Sequence, residues 1–144
     1  MSPPPLDEPD TVGLMCGRFV STQTPDQIAS FFGASFEGDA LPPNYNVAPT
    51  NDVYGVVAGA DGPRLTTFHW GLVPSWAKDL KFGNRCINAR AETIATTPSF
   101  RSAYAKRHCL VPLDAFYEWT GEKGHKTKWR IRLKDAPLFA LAGL

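Results

Sequence analysis

Apolar and polar positions alternate with a period of two over most of this chain, and only two stretches take up a helical period. Val53 to Ala58 and Leu65 to Trp70 are strand-like runs separated by Gly59-Ala60-Asp61-Gly62, which predicts a hairpin. Cys16 to Val20 reads as an earlier strand. His108 to Leu113, Ala115 to Trp119, Lys128 to Leu133 and Leu138 to Leu141 read as later ones, with Gly121 and Gly124 marking the turn between the middle pair. Thr24-Pro25-Asp26-Gln27 predicts a helix start, with Thr at the N-cap, Pro at N1 and a capping-box Gln at N3, and Gly33 closes that helix. Thr97-Pro98 opens a second short helix with Phe100, Ala103 and Tyr104 on one face. The pattern predicts an α+β fold: a curved, mostly antiparallel sheet with two short peripheral helices. Residues 41–51 and 71–90 fit neither period. They mix proline, glycine, asparagine and aromatics, and long loops of that kind inside a compact domain usually carry function.

Composition narrows the class. A chain of 144 residues, 43% apolar and 20% charged, is one globular domain. No apolar run approaches the roughly 20 residues of a membrane span, so no membrane association is expected. The odd cysteine count (Cys16, Cys86, Cys109), without CxxC spacing, argues against a disulfide framework and for a reducing, cytoplasmic setting. His69, His108 and His125 lack metal-ligand spacing, and neither a metal nor a cofactor is expected. The net charge of +1 hides an asymmetry: residues 1–100 hold 6 basic and 10 acidic side chains, residues 101–144 hold 9 and 4. The second part could carry a nucleic-acid surface.

The strongest chemical signal is Met15-Cys16-Gly17. Initiation at Met15 followed by methionine removal leaves Cys16 first, with a free α-amine and a thiol on adjacent carbons. Near pH 7.4 about a quarter to a third of such amines are neutral, against about one lysine in a thousand. The neutral amine can form a Schiff base with an aldehyde, and the thiol can then close onto the imine carbon as a five-membered thiazolidine. The plain alternative is a small buried hydrophobe near a strand start. The leader 1–14, MSPPPLDEPDTVGL, has neither a basic n-region nor an apolar stretch and reads as an extended, disordered segment. Either Met15 is the true start or the leader is a removable pro-segment.

Other candidates each carry a plain alternative. Asn88 offers donor and acceptor together, and Arg90 suits a phosphate oxygen; the alternative is a turn with a capped helix start at Glu92. Glu118 lies among Phe116, Tyr117 and Trp119. A carboxyl group in apolar company suits general acid–base work, though Glu118 could equally face solvent on an amphipathic strand. Trp76, on the loop after Trp70, is a candidate for stacking on unpaired bases, whereas Trp70 reads as core. Lys128, Arg130, Arg132 and Lys134 alternate with Trp129, Ile131 and Leu133, giving one basic and one apolar face. The basic face is either simply solvated or tracks a phosphate backbone.

Six segments in order resemble the SOS-response-associated peptidase (SRAP) family: MCGRF (15–19), YNVAPT (45–50), WGLVPSW (70–76), INARAET (87–93), CLVPLDAFYEW (109–119) and FALAGL (139–144). The resemblance implies an SRAP domain over 15–144 whose sheet closes toward a barrel. It implies a sensor of abasic sites in single-stranded DNA that crosslinks to the ring-opened sugar through a thiazolidine at Cys16, protecting the lesion. By the same resemblance Asn88 holds the sugar and the cysteine, and Glu118 shuttles protons. Arg18 and Arg90 bind phosphate, while Asn46, Pro49 and Trp76 shape the DNA groove. It further implies a self-cleaving peptidase activity that exposes the cysteine, and a monomer that is nucleoid-associated when bound to DNA.

Two departures accompany the resemblance. An attached leader leaves Cys16 without a free amine. Family members also continue with further strands and an active-site histidine onto which no histidine here maps, so the domain is expected to lack its C-terminal portion, with open sheet edges and low stability. Two other functions fit parts of the pattern: an N-terminal-nucleophile amidohydrolase, which also begins Met-Cys-Gly, and a non-covalent single-stranded DNA-binding module.

Overall fold

The computed structural model describes residues 16–144, so the leader and Met15 lie outside the described residues. Strand β1 (Phe19–Ser21) leads into helix α1 (Pro25–Phe32). The capping box forms as predicted: the Thr24 side chain accepts from the Gln27 amide at 3.2 Å, and the Gln27 side chain accepts from the Thr24 amide at 2.9 Å. Gly33 ends the helix in the left-handed region at φ 60°. The predicted hairpin is β4 (Asp52–Gly59) and β5 (Gly62–His69), in unbroken antiparallel register from Asp52↔His69 to Gly59↔Gly62. Before it lie β2 (Ser35–Phe36), which pairs in parallel with β5, and β3 (Asn44–Val47), a strand inside a segment that the sequence pattern leaves unassigned. After a 3₁₀ turn (Leu80–Arg85) comes α2 (Arg101–Lys106). It starts later than Thr97-Pro98 predicts, although the Thr97 carbonyl accepts from the Arg101 amide at 2.9 Å and so begins its hydrogen bonding. Strands β6 (Cys109–Leu113), β7 (Ala115–Thr120), β8 (Thr127–Ile131) and β9 (Phe139–Gly143) complete the described chain.

The strands form two sheets, ordered β3-β1-β7-β8 and β2-β5-β4-β6-β9, rather than one sheet closing toward a barrel. The division occurs at Asp114, between β6 in one sheet and β7 in the other. The Asp114 amide donates to the Val20 carbonyl at 2.9 Å, and its carboxylate accepts from both the amide and the hydroxyl of Thr22. That clamp turns the chain from one sheet to the other and ties the corner to the end of β1. The fold class is α+β as expected, and the two sheets are not closed.

Alternation along β4 sets the layers. Tyr54 and Val56 face α1 and pack with Ile28, Ala29, Leu65 and Leu138. Val53 faces the other way into a second cluster with Phe19, Val47 and Leu113, against which Trp70, Val111, Phe116, Phe139 and Leu141 pack. The five-stranded sheet thus lies between α1 and the four-stranded sheet. Burying each large side chain contributes about 1.5–3 kcal/mol, so this inter-sheet cluster is what holds β1 against β6. Edge strand β8 is exposed on both faces, so Trp129 and Ile131 on its apolar side stay uncovered among the described residues. No helix among the described residues is long and apolar enough to cross a membrane.

Candidate functional site

Cys16 stands three residues before β1, whose two neighbours in the sheet are β3 and β7. The Arg18 carbonyl accepts from the Tyr117 amide at 2.9 Å, carrying the β1–β7 pairing one residue past the Phe19↔Phe116 register. Period-two alternation on β7 then puts Glu118 on the same inward side as Phe116. Glu118 is 8% exposed and is the buried charged residue of the described core.

Asn88 reaches Cys16 from the opposite direction. Its Nδ2 donates to the Cys16 carbonyl at 2.9 Å, joining residues 72 apart in sequence. The loop bearing Asn88 is closed at its neck by several bonds. The Leu72 amide donates to the Cys86 carbonyl at 3.1 Å, and the Trp70 indole donates to the Ile87 carbonyl at 2.8 Å. Gly71 and Gly83 cross backbone to backbone: a Cβ on Gly71, which sits at φ 139°, would lie 2.7 Å from the Gly83 oxygen. Trp70 itself leans on Phe19 with ring centroids 5.3 Å apart. One side chain therefore links β1 to the loop residue beside Asn88.

The Cys16 thiol is half-buried and pushed up from the usual cysteine value. Burial is the main cause, the Glu118 carboxylate adds to it, and a backbone hydrogen bond at Arg18 works in the opposite direction. Both causes favour the neutral thiol over the thiolate.

The remaining candidates spread outward. Arg18 is half-buried, and its Nε has no hydrogen-bond partner. Arg90 is exposed, and its carbonyl accepts from the Thr93 amide at 3.1 Å at the start of a run of turns through residues 91–96. Asn46 is exposed on β3, and Pro49 precedes Thr50, a non-glycine residue at φ 74°. That bend is held by the Thr50 amide donating to the Trp70 carbonyl at 2.9 Å. Trp76 is 54% exposed and edge-on to Phe82, with centroids 4.9 Å apart. Hydrogen bonding joins Cys16 and Asn88, and charge couples Cys16 to Glu118; Asn46, Pro49, Trp76 and Arg90 make no contact of that kind with them. A cavity of about 210 Å³ lined by Ser21, Leu41, Asn44, Val47 and Asn51 includes none of these three residues. Among the described residues no group of three or more His, Cys, Asp or Glu is arranged to hold a metal ion.

Two residues that shape the site were not singled out from sequence. Asp114 is the lone acid within VPLDAFY, a readable turn signal. Phe82 carried no signal, since its partner Trp76 is recognisable only once the loop folds back.

The chain is similar to proteins named for abasic site processing. The abasic site processing protein YoaM of Bacillus subtilis (strain 168) is 42% identical over 133 residues, covering 90% of this chain and 59% of that protein. The abasic site processing protein YedK of Escherichia coli (strain K12) is 30% identical over 135 residues, covering 89% and 59%. A crystal structure of a protein from Bacteroides thetaiotaomicron superposes with a TM-score of 0.76 at 28% identity, covering 88% of this chain and 58% of that one. The chain spans about three-fifths of the length of YoaM and of YedK. The family model for SOS response associated peptidase (SRAP) matches residues 15–144. The chain belongs to the SRAP family.

Proposed function

We propose that this protein captures abasic sites in single-stranded DNA through Cys16 once that residue is the amino terminus. The observation that carries the reading is the grip of Asn88 on the Cys16 carbonyl, with the buried Glu118 coupled to the thiol. Relatives named abasic site processing proteins support it.

The reaction balances without a cofactor. The neutral α-amine of Cys16 adds to the C1′ aldehyde of the ring-opened deoxyribose, giving a carbinolamine. Loss of water forms the imine. The thiol sulfur then adds to the imine carbon and its proton passes to nitrogen, leaving a thiazolidine and one water. Glu118 takes up the amine proton as nitrogen adds, returns it to the departing hydroxide, then accepts the thiol proton as sulfur attacks and passes it to nitrogen. Asn88 keeps the residue oriented, Arg18 and Arg90 meet the flanking phosphates, and Asn46, Pro49 and Trp76 line the groove. The domain runs over 15–144. Exposure of Cys16 occurs by removal of Met15 or by self-cleavage of the leader, which is the sense in which the chain is a peptidase. The protein acts as a cytoplasmic monomer, nucleoid-associated when bound to DNA.

Protein started at Met15 and incubated with a single-stranded oligonucleotide carrying one abasic site is expected to give a band that survives denaturant. Cys16→Ala abolishes that band, and Glu118→Gln slows its appearance roughly a hundredfold. An equal yield from Cys16→Ala would overturn the reading.

A further inference from the structure

We propose that the outward face of β7 and β8 is a second contact surface for the DNA strand, holding the stretch that flanks the lesion without covalent chemistry. The proposal rests on the function inferred above and extends it to a different side of the sheet.

Register brings the residues together. Tyr117 pairs with Arg130 and Trp119 with Lys128, so all four share the face opposite to Glu118. The Lys128 Nζ stands 3.9 Å from the Tyr117 ring centroid and 5.8 Å from that of Trp119. The Tyr117 ring is itself fixed, because its hydroxyl donates to the Tyr45 carbonyl at 3.0 Å, across β1. An ammonium held over two rings is ordered before any ligand arrives, which lowers the entropic cost of placing it on a phosphate. Lys128 and Arg130 are exposed, and among the described residues neither has a carboxylate within 4.0 Å. Trp119 is also exposed.

Charge selects the occupant. Pairing of edge strand β8 with its own copy in antiparallel register would bring Lys128 and Arg130 of the two chains together, and like charges in cross-strand contact are unfavourable. The surplus of 9 basic over 4 acidic residues in 101–144 favours a polyanion. The alternation of cation and aromatic ring suits a single strand, with phosphates on Lys128 and Arg130 and a base on Trp119.

The test uses Cys16→Ser protein, which cannot crosslink, and an undamaged single-stranded oligonucleotide followed by fluorescence anisotropy across a salt series. Lys128→Gln with Arg130→Gln should make the slope of log affinity against log salt shallower by about 1.4, from roughly 0.7 per lost phosphate contact. Trp119→Ala should weaken binding several-fold with the slope unchanged, and Lys128→Arg with Arg130→Lys should keep the original slope. An unchanged slope in the double glutamine variant overturns the proposal. So does failure of the Cys16→Ser protein to bind, or sedimentation showing that the double variant loses self-association instead. Crosslinking of the Cys16 protein to an abasic oligonucleotide is read separately, so failure of the covalent reaction and failure of this surface are distinguishable.

Discussion

Burial and the Glu118 carboxylate both favour the proton on the Cys16 sulfur. The folded protein therefore binds that proton more tightly than the unfolded chain. The thiol's share of stability is present below the ordinary cysteine value of about 8.5 and is lost as pH rises through the higher folded value. Iodoacetamide alkylation of Cys16, followed site by site with mass spectrometry against a peptide of the same sequence, should show its midpoint above that of the peptide. Glu118→Gln should bring the midpoint back down. A midpoint in the folded protein at or below the peptide's would contradict the coupling. Cys16 itself was legible in sequence from the methionine before it. Its partners were ambiguous, since Asn88 had a turn as its plain alternative and Glu118 a solvated strand position. The bond that connects Asn88 to Cys16 spans 72 residues, and no local pattern encodes a contact of that range.

Elements with short-range causes were the readable ones. The α1 capping box and the β4–β5 hairpin arise from residues within a few positions of one another, and both form as the pattern indicates. The loop over residues 71–90 does not, because its shape depends on Gly71 meeting Gly83 and on the Trp70 indole finding Ile87. A Cβ on Gly83 would lie 2.7 Å from the Gly71 oxygen and 3.1 Å from the Val73 side chain. Gly83→Ala is therefore expected to force the neck apart, costing about 1–3 kcal/mol by thermal or denaturant unfolding and loosening Asn88 along with it. Unchanged stability would show that the neck yields freely. The strand β3 was missed for a related reason: its pairing with β1 shifts register between Phe19 and Ser21, so no clean alternation marks it.

At the scale of the molecule, the sequence pattern indicated the α+β class but not the division into two sheets, which Asp114 and Thr22 bring about through a contact 92 residues apart. The exposure of Trp129, Ile131 and Leu110 was also hidden, because alternation names a face without saying what covers it. Apolar side chains on open strands favour association and loose folding. The 144-residue chain is expected to melt broadly at low temperature and to bind a hydrophobic dye before unfolding. A sharp cooperative transition at ordinary temperatures, without dye binding, would refute this.

Asn88 holds residue 16 by an atom that is a spectator throughout the proposed chemistry. Cleavage upstream alters the nitrogen, imine formation alters the nitrogen again, and ring closure alters the sulfur; the carbonyl oxygen is unchanged in every case. The same handhold can therefore persist from precursor through free terminus to adduct, and the active centre need not be rebuilt between stages.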